Sequence, residues 1–132
     1  MENKNNFKKL AEEWFLKAED DLLSAKDILN DKEGAASTVC FLSQQIAEKY
    51  LKGYLVYIET EFPKIHDLDK LVELCKKINV SFNEIKEDAQ SLADFYVATR
   101  YPGDYPEFMW KDAEKAFVSA EKIKNFVLEN IR

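Results

Sequence analysis

Glycine and proline are scarce in this chain of 132 residues, which holds three of each. A β-sandwich or β-barrel needs many tight turns, and these two residues supply most of them, so the shortage argues against an all-β fold. No stretch approaches the ~18 consecutive apolar residues of a transmembrane helix, and the first nine residues lack the apolar core of a signal peptide. The sequence therefore predicts a helical protein without a membrane span, which we expect in the cytoplasm.

Positive charge is also in short supply, because 19 Lys and Arg residues stand against 25 Asp and Glu residues, for a formal net charge of −6. Such a chain repels phosphate backbones on average, which excludes nonspecific coating of nucleic acid but allows a local basic site. Cys40 and Cys75 both lie in apolar segments. We expect buried, reduced thiols there, although the sequence leaves a disulfide open. No metal-ligand spacing is present, so neither a metal nor another cofactor is expected.

Apolar residues recur every three or four positions in five segments of the chain, as on one face of a helix. These segments are 7–29, 35–58, 68–78, 82–100 and 110–131. Asp67 is a candidate N-cap for the third helix, and Ser81 with Glu84 matches a capping box for the fourth. The pattern predicts an antiparallel up-and-down bundle of four long helices plus one short helix. We expect a single domain over residues 1–132, with residues 1–6 disordered.

The second helix carries a polar arc on an otherwise apolar surface. At about 100° per residue, five side chains fall within roughly 140°: Gln44, Gln45, Glu48, Lys49 and Lys52. A solvated stripe with an exposed ion pair between Glu48 and Lys52 is the ordinary interpretation of the charged residues. The glutamines can both donate and accept, so they suit either a buried bond between helices or recognition of a ligand. Gln44, Gln45, Glu48 and Lys52 are therefore candidate binding residues.

A second candidate site follows the fourth helix. Arg100 precedes a turn with two prolines and one glycine, and the helix dipole alone favours a cation there. Arg100 with Tyr101, Asp104 and Tyr105 could also hold a phosphate and stack a base, or form a subunit contact. His66, the single histidine, stands where a cap or surface residue is commoner than a catalyst. The topology nevertheless places His66 and Arg100 at the same end of the bundle, where a base and a cation could meet.

Four motifs along the chain together resemble the signature of HEPN domain proteins. They are residues 14–22, residues 40–52, His66-Asp67-Leu68 and Arg100-Tyr101-Pro102. The resemblance spans about residues 10–127 and implies a helical bundle that is usually homodimeric. It also implies a nucleotide ligand or a minimal nucleotidyltransferase as partner, frequently as toxin and antitoxin. A large branch of the family are metal-independent ribonucleases, in which an arginine and a histidine with four to six residues between them act on the scissile phosphate.

This chain lacks the histidine of that ribonuclease motif. The window after Arg100 in which it should fall holds Tyr105, Pro106 and Glu107, and a phenol is a poor general base at neutral pH. We therefore expect a HEPN-like module that binds a nucleotide or a nucleotidyltransferase, and not an enzyme of the usual type. Two alternatives remain: a ribonuclease toxin that uses Arg100 with His66, and a non-catalytic dimeric interaction protein.

Overall fold

A computed structural model describes residues 4–95 and 107–131, and within these ranges all regular structure is helical. The elements are α1 (Lys4–Asp31), α2 (Ala36–Tyr57), α3 (Leu68–Ile78), a 3₁₀ helix (Val80–Ile85), α4 (Lys86–Ala93) and α5 (Trp110–Glu129). This confirms the predicted helical bundle with five α-helices, although α1 begins three residues ahead of its predicted start. That residues 1–132 form one domain stays a prediction. Among the described helices, none combines the length and apolar character that crossing a membrane requires.

α1 and α2 form an antiparallel pair whose axes can approach closely because small residues face each other. Three alanines one heptad apart on α1 are fully buried: Ala11, Ala18 and Ala25. On α2, Gly53 leaves room for the ring of Phe15, since a Cβ at Gly53 would lie 2.4 Å from Phe15 Cε1. The same ring stacks on Tyr50 with centroids 5.2 Å apart. This close packing fixes the register of α2 against α1.

α2 is the central helix of the bundle, and it contacts α1, α3, α4 and α5. Its apolar surface reaches around most of the circumference, which predicts a central position and is confirmed by burial. The fully buried apolar residues of α2 include Val39, Ile46, Leu51 and Leu55. Polar side chains on such a helix have little access to water, so each needs a partner within the protein.

The starts of α3 and α4 differ in how well the sequence predicted them. Asp67 caps α3 as expected, because its carboxylate accepts the backbone N–H of Asp69 at 2.9 Å. The capping box at Ser81 and Glu84 is wrong. Asn79 accepts both the backbone N–H of Ser81, at 3.1 Å, and its hydroxyl, at 2.6 Å. This local turn directs the chain into the 3₁₀ helix, so α4 begins later, at Lys86.

The two cysteines are free and buried, as expected. Burial raises the pKa of the Cys75 thiol to about 12. Burial, with a smaller contribution from the charge of Asp112, raises the pKa of Cys40 to about 11. Both thiols therefore stay protonated at neutral pH, and a protonated thiol is a poor nucleophile.

Candidate functional site

Three residues of the predicted polar arc are buried inside the bundle. Gln44 has no exposed surface, and the exposed fractions of Glu48 and Lys52 are 4% and 6%. Spacing of four residues stacks them on one face of α2. The expected solvated stripe is therefore wrong for Glu48 and Lys52, since the helices packed around α2 cover this face. Lys49 points elsewhere and pairs with Asp21 of α1.

A continuous chain of hydrogen bonds joins these side chains. Lys52 Nζ donates to Glu48 Oε2 at 3.0 Å, and Gln44 Nε2 donates to Glu48 Oε1 at 3.2 Å. Gln45 Nε2 donates in turn to Gln44 Oε1 at 2.6 Å. The carboxylate of Glu48 is thus held from both sides along the helix. A buried charge held in this way has little freedom to move.

His66 completes the group, which we call the Glu48 cluster: Gln44, Gln45, Glu48, Lys52 and His66. Nδ1 of His66 lies 3.1 Å from Glu48 Oε2 and 3.2 Å from Oε1. The backbone carbonyl of His66 accepts a second bond from Gln44 Nε2 at 3.2 Å. The loop from α2 to α3 is therefore tied to α2 at both the backbone and the side chain of His66.

The imidazole of His66 stands at the boundary between the cluster and solvent. Its side chain is 52% exposed, whereas that of Glu48 is 5% exposed. A neutral imidazole that donates from Nδ1 to a carboxylate carries its lone pair on Nε2. Glu48 thus sets the tautomer of His66 and fixes the orientation of its ring. This arrangement suits a proton acceptor or, when protonated, a contact for an anion.

Trp14 of α1 covers the cationic end of the cluster. Lys52 Nζ lies 5.6 Å from the centroid of the Trp14 ring, within the range of a cation–π interaction. Trp14 lies within the predicted helical segment 7–29, and no sequence pattern predicted its contact with Lys52. The helical spacing of Lys52 and Glu48 gave no signal that the pair needs an aromatic cover, because an exposed pair has the same spacing.

α3 and α4 pack against each other. Partial burial raises the pKa of Asp69, and the negative charges of Asp67 and Asp94 raise it further. Asp94 is the C-cap residue of α4.

The predicted residues of the second site, Arg100, Tyr101, Asp104 and Tyr105, lie outside the described residues. On either side of them, Phe95 and Phe108 pack edge to face with ring centroids 5.1 Å apart. The described residues on the two sides of this gap therefore lie close together. A meeting of His66 with Arg100 stays a prediction. Within residues 4–95 and 107–131, no group of three or more His, Cys, Asp and Glu side chains is placed to hold a metal ion.

Comparison with known proteins gave two matches. The HEPN domain family matches the chain over residues 11–131. The crystal structure of ST0689, an archaeal HEPN homologue, is similar with a TM-score of 0.75 and 30% sequence identity, over 92% of this chain and 98% of that one. A comparison with curated proteins gave no match. Because the family covers nearly the whole bundle, including the Glu48 cluster, the chain belongs to the HEPN domain family.

Proposed function

We propose that this HEPN domain binds a nucleotide at the surface that carries the half-exposed imidazole of His66. The observation that carries the proposal is the buried Glu48–Lys52 pair, which orients one half-exposed imidazole. The catalytic alternative uses the same imidazole and is treated below.

Stability alone does not account for the buried pair. Removing a carboxylate and an ammonium from water costs several kcal/mol each, and apolar residues of similar volume are often at least as stable. The hydrogen bonds of Gln44 and His66 offset part of this cost by satisfying the carboxylate. The pair is better explained by the geometry that it imposes on His66, because perturbed or buried ionisable groups concentrate at functional sites.

The charge balance of the cluster favours a phosphate-bearing ligand once His66 is protonated. Lys52 neutralises Glu48, so an imidazolium at His66 adds a positive charge at the surface. The resemblance to HEPN proteins adds Arg100, whose planar guanidinium can bind two phosphate oxygens, and Tyr101 and Tyr105 as stacking faces for a base. These three residues belong to the proposal and follow α4 in the chain.

Titration of the protein with ATP, AMP and adenosine tests the proposal. In a Trp110→Phe variant, Trp14 is the single tryptophan and reports on the Glu48 cluster by fluorescence. We expect ATP to bind more tightly than AMP, and adenosine to bind most weakly. His66→Ala should lower the affinity for ATP at least about tenfold, because a charge-assisted hydrogen bond is lost. Lys77→Ala, on the exposed side of α3, is the matched control. If millimolar ATP causes no change in fluorescence and no calorimetric heat, nucleotide binding is excluded.

A minimal nucleotidyltransferase is the proposed protein partner, in a toxin–antitoxin role. The support is the family membership and the four motifs of the sequence. Co-expression with the product of the neighbouring gene tests this half separately. A stable complex with a nucleotidyltransferase, retained through gel filtration, would support the role. A neighbouring gene that encodes no nucleotidyltransferase, or a product that elutes apart from this protein, would contradict it.

A metal-independent ribonuclease is the second candidate, and the Glu48–His66 hydrogen bond favours it. His66 Nε2 would take the proton of a ribose 2′-OH while the 2′ oxygen attacks phosphorus and the bond to the 5′ oxygen breaks. Glu48 would keep the ring oriented through Nδ1, and the leaving oxygen would take a proton from water. RNA cleavage that disappears in both His66→Ala and Arg100→Ala supports this mechanism. Inert wild-type protein excludes it.

A further inference from the structure

The outer face of α1 exposes large apolar residues between acidic ones. Leu16 is 66% exposed and Leu23 is 61% exposed. Five exposed residues at alternating steps of three and four positions form what we call the acidic stripe: Glu13, Leu16, Asp20, Leu23 and Asp27. At 100° per residue they fall within an arc of about 80°. Lys17 borders this arc. Leu16 and Leu23 lie seven residues apart, two helical turns, on either side of Asp20.

The outer face of α5 has the opposite charge in the same pattern. Four exposed residues at steps of four, three and four positions form the basic stripe: Lys111, Lys115, Val118 and Lys122. They line one wall of a groove of about 620 Å³ between α4 and α5, whose other wall includes Ser91 and Phe95. Glu114 beside the stripe is engaged by Lys32 of α1, 3.5 Å away. The basic stripe is cationic, and the groove that it borders is lined by Phe95 and Ala116 as well as by Asp112.

The two stripes match in spacing as well as in charge. Asp20 and Asp27 are seven residues apart, as are Lys115 and Lys122, and seven residues rise about 10.5 Å along a helix. Both pairs can therefore meet at once when the helices lie side by side. When the two helices are parallel, with Asp20 beside Lys115 and Asp27 beside Lys122, Leu23 lies opposite Val118. The match joins charge complementarity to apolar burial in one register.

We propose that the acidic stripe of one molecule docks on the basic stripe of a second copy of this chain. The contact joins two different surfaces, so it is heterologous and either closes into a ring or continues as an open assembly. Each stripe spans only three or four helical turns. The contact is therefore small and weak, and it depends on ionic strength because its ion pairs are exposed.

Charge reversal of each stripe, followed by mixing, tests the proposal. One variant carries Asp20→Lys with Asp27→Lys, and the other carries Lys115→Glu with Lys122→Glu. All four side chains are exposed, and circular dichroism checks that both variants stay helical. Sedimentation velocity at low salt, over a hundredfold range of concentration, measures self-association.

We expect wild-type protein to associate and each variant alone to associate at least about tenfold more weakly, because its two stripes then carry the same charge. Mixing the two variants should restore association, since opposite stripes are again available between molecules. Leu16→Ser with Leu23→Ser should also weaken association, without the change in charge.

A dimer that forms through another surface is unaffected by these substitutions. It appears in sedimentation as the smallest species, with the same sedimentation coefficient in wild type and in both variants. Wild type that shows no concentration dependence beyond that species overturns the proposal. Equal association of wild type and both variants also overturns it, as does a mixture no more associated than its components.

Discussion

Glu48 holds His66 through Nδ1, 3.1 Å from Oε2 and 3.2 Å from Oε1, and this contact joins a buried helix to an exposed loop. The carboxylate is fixed beforehand by Lys52 and Gln44 on its own helix. The imidazole is thus oriented by a group that is itself immobile. Oriented imidazoles of this kind serve proton transfer and anion contact, which are the two roles considered above.

The first prediction concerns the tautomer of His66. We expect neutral His66 to carry its proton on Nδ1, because Glu48 can accept only from that nitrogen. In Glu48→Gln the amide can donate to Nδ1, so the population should move toward the Nε2–H form. Long-range ¹H–¹⁵N spectra at pH 8 resolve the two forms, and the single histidine gives one set of signals. Glu73→Gln, at an exposed pair with Lys76, is the control. Identical tautomer populations in wild type and Glu48→Gln would contradict the assignment.

The second prediction concerns the stability of the buried pair. Glu48→Ala leaves the ammonium of Lys52 buried without its carboxylate and should lower the free energy of unfolding by about 3–5 kcal/mol. Glu48→Leu combined with Lys52→Met removes both charges and should fall within about 1 kcal/mol of wild type or above it. Urea denaturation followed by circular dichroism measures both.

The exposed pair of Glu73 and Lys76 provides a control for that experiment. Lys76→Ala should change the free energy of unfolding by less than about 1 kcal/mol, since exposed ion pairs contribute little. If Glu48→Ala were as mild as Lys76→Ala, the pair would not be buried in solution.

The third prediction concerns the close approach of α1 and α2. Alanine is favoured over glycine inside a helix by about 1 kcal/mol, yet a Cβ at Gly53 would lie 2.4 Å from Phe15 Cε1. We expect Gly53→Ala to lower the free energy of unfolding by about 1–3 kcal/mol, as overpacking does. In a Phe15→Leu background, Gly53→Ala should lower the free energy of unfolding by less than it does in wild type. A stabilised Gly53→Ala protein would show that the helices separate at little cost.

The fourth prediction concerns acid stability and Glu19 of α1. Burial acts to raise the pKa of Glu19, but hydrogen bonds from Tyr50 and Lys124, with the charge of Lys124, lower it below its ordinary value of 4.5. A carboxyl group with a lowered pKa stabilises the fold above its ordinary pKa, and that contribution is lost as the pH falls through the folded value.

Glu19→Gln should therefore be less stable than wild type at pH 7, and the difference should shrink as the pH falls below 4.5. Thermal unfolding between pH 3 and 7 measures this, with Glu12→Gln, on the exposed side of α1, as the control. A difference that is constant across this pH range would contradict the role of the Glu19 charge.

The sequence predicted the fold well because the relevant signals are local. The apolar circumference of α2 predicted its central position, and Asp67 predicted the start of α3. The start of α4 was predicted wrongly because Asn79 and Ser81 are both possible capping residues. The Asn79 side chain accepts the backbone N–H of Ser81, so the capping box of Ser81 with Glu84 does not form.

The site was harder to predict because burial is a property of the packed bundle. Gln44, Glu48 and Lys52 were identified as a polar arc, but an i,i+4 pair has the same spacing whether it is covered or exposed. The contact of His66 with Glu48 depends on the path of the loop after α2, where Glu59 adopts a left-handed backbone with φ of 59°. No local pattern in the sequence specifies that path.

The central position of α2 also has a consequence for the order of folding. α1 and α2 are joined by the short link of residues 32–35, so their contact is local in the chain and closes at a low entropic cost. His66 reaches Glu48 only when the later loop has docked. We therefore expect the two-helix hairpin to protect its amides from hydrogen exchange earlier in refolding than α3 does. The hydrogen bond between His66 and Glu48 would then form last, after α2 itself has folded.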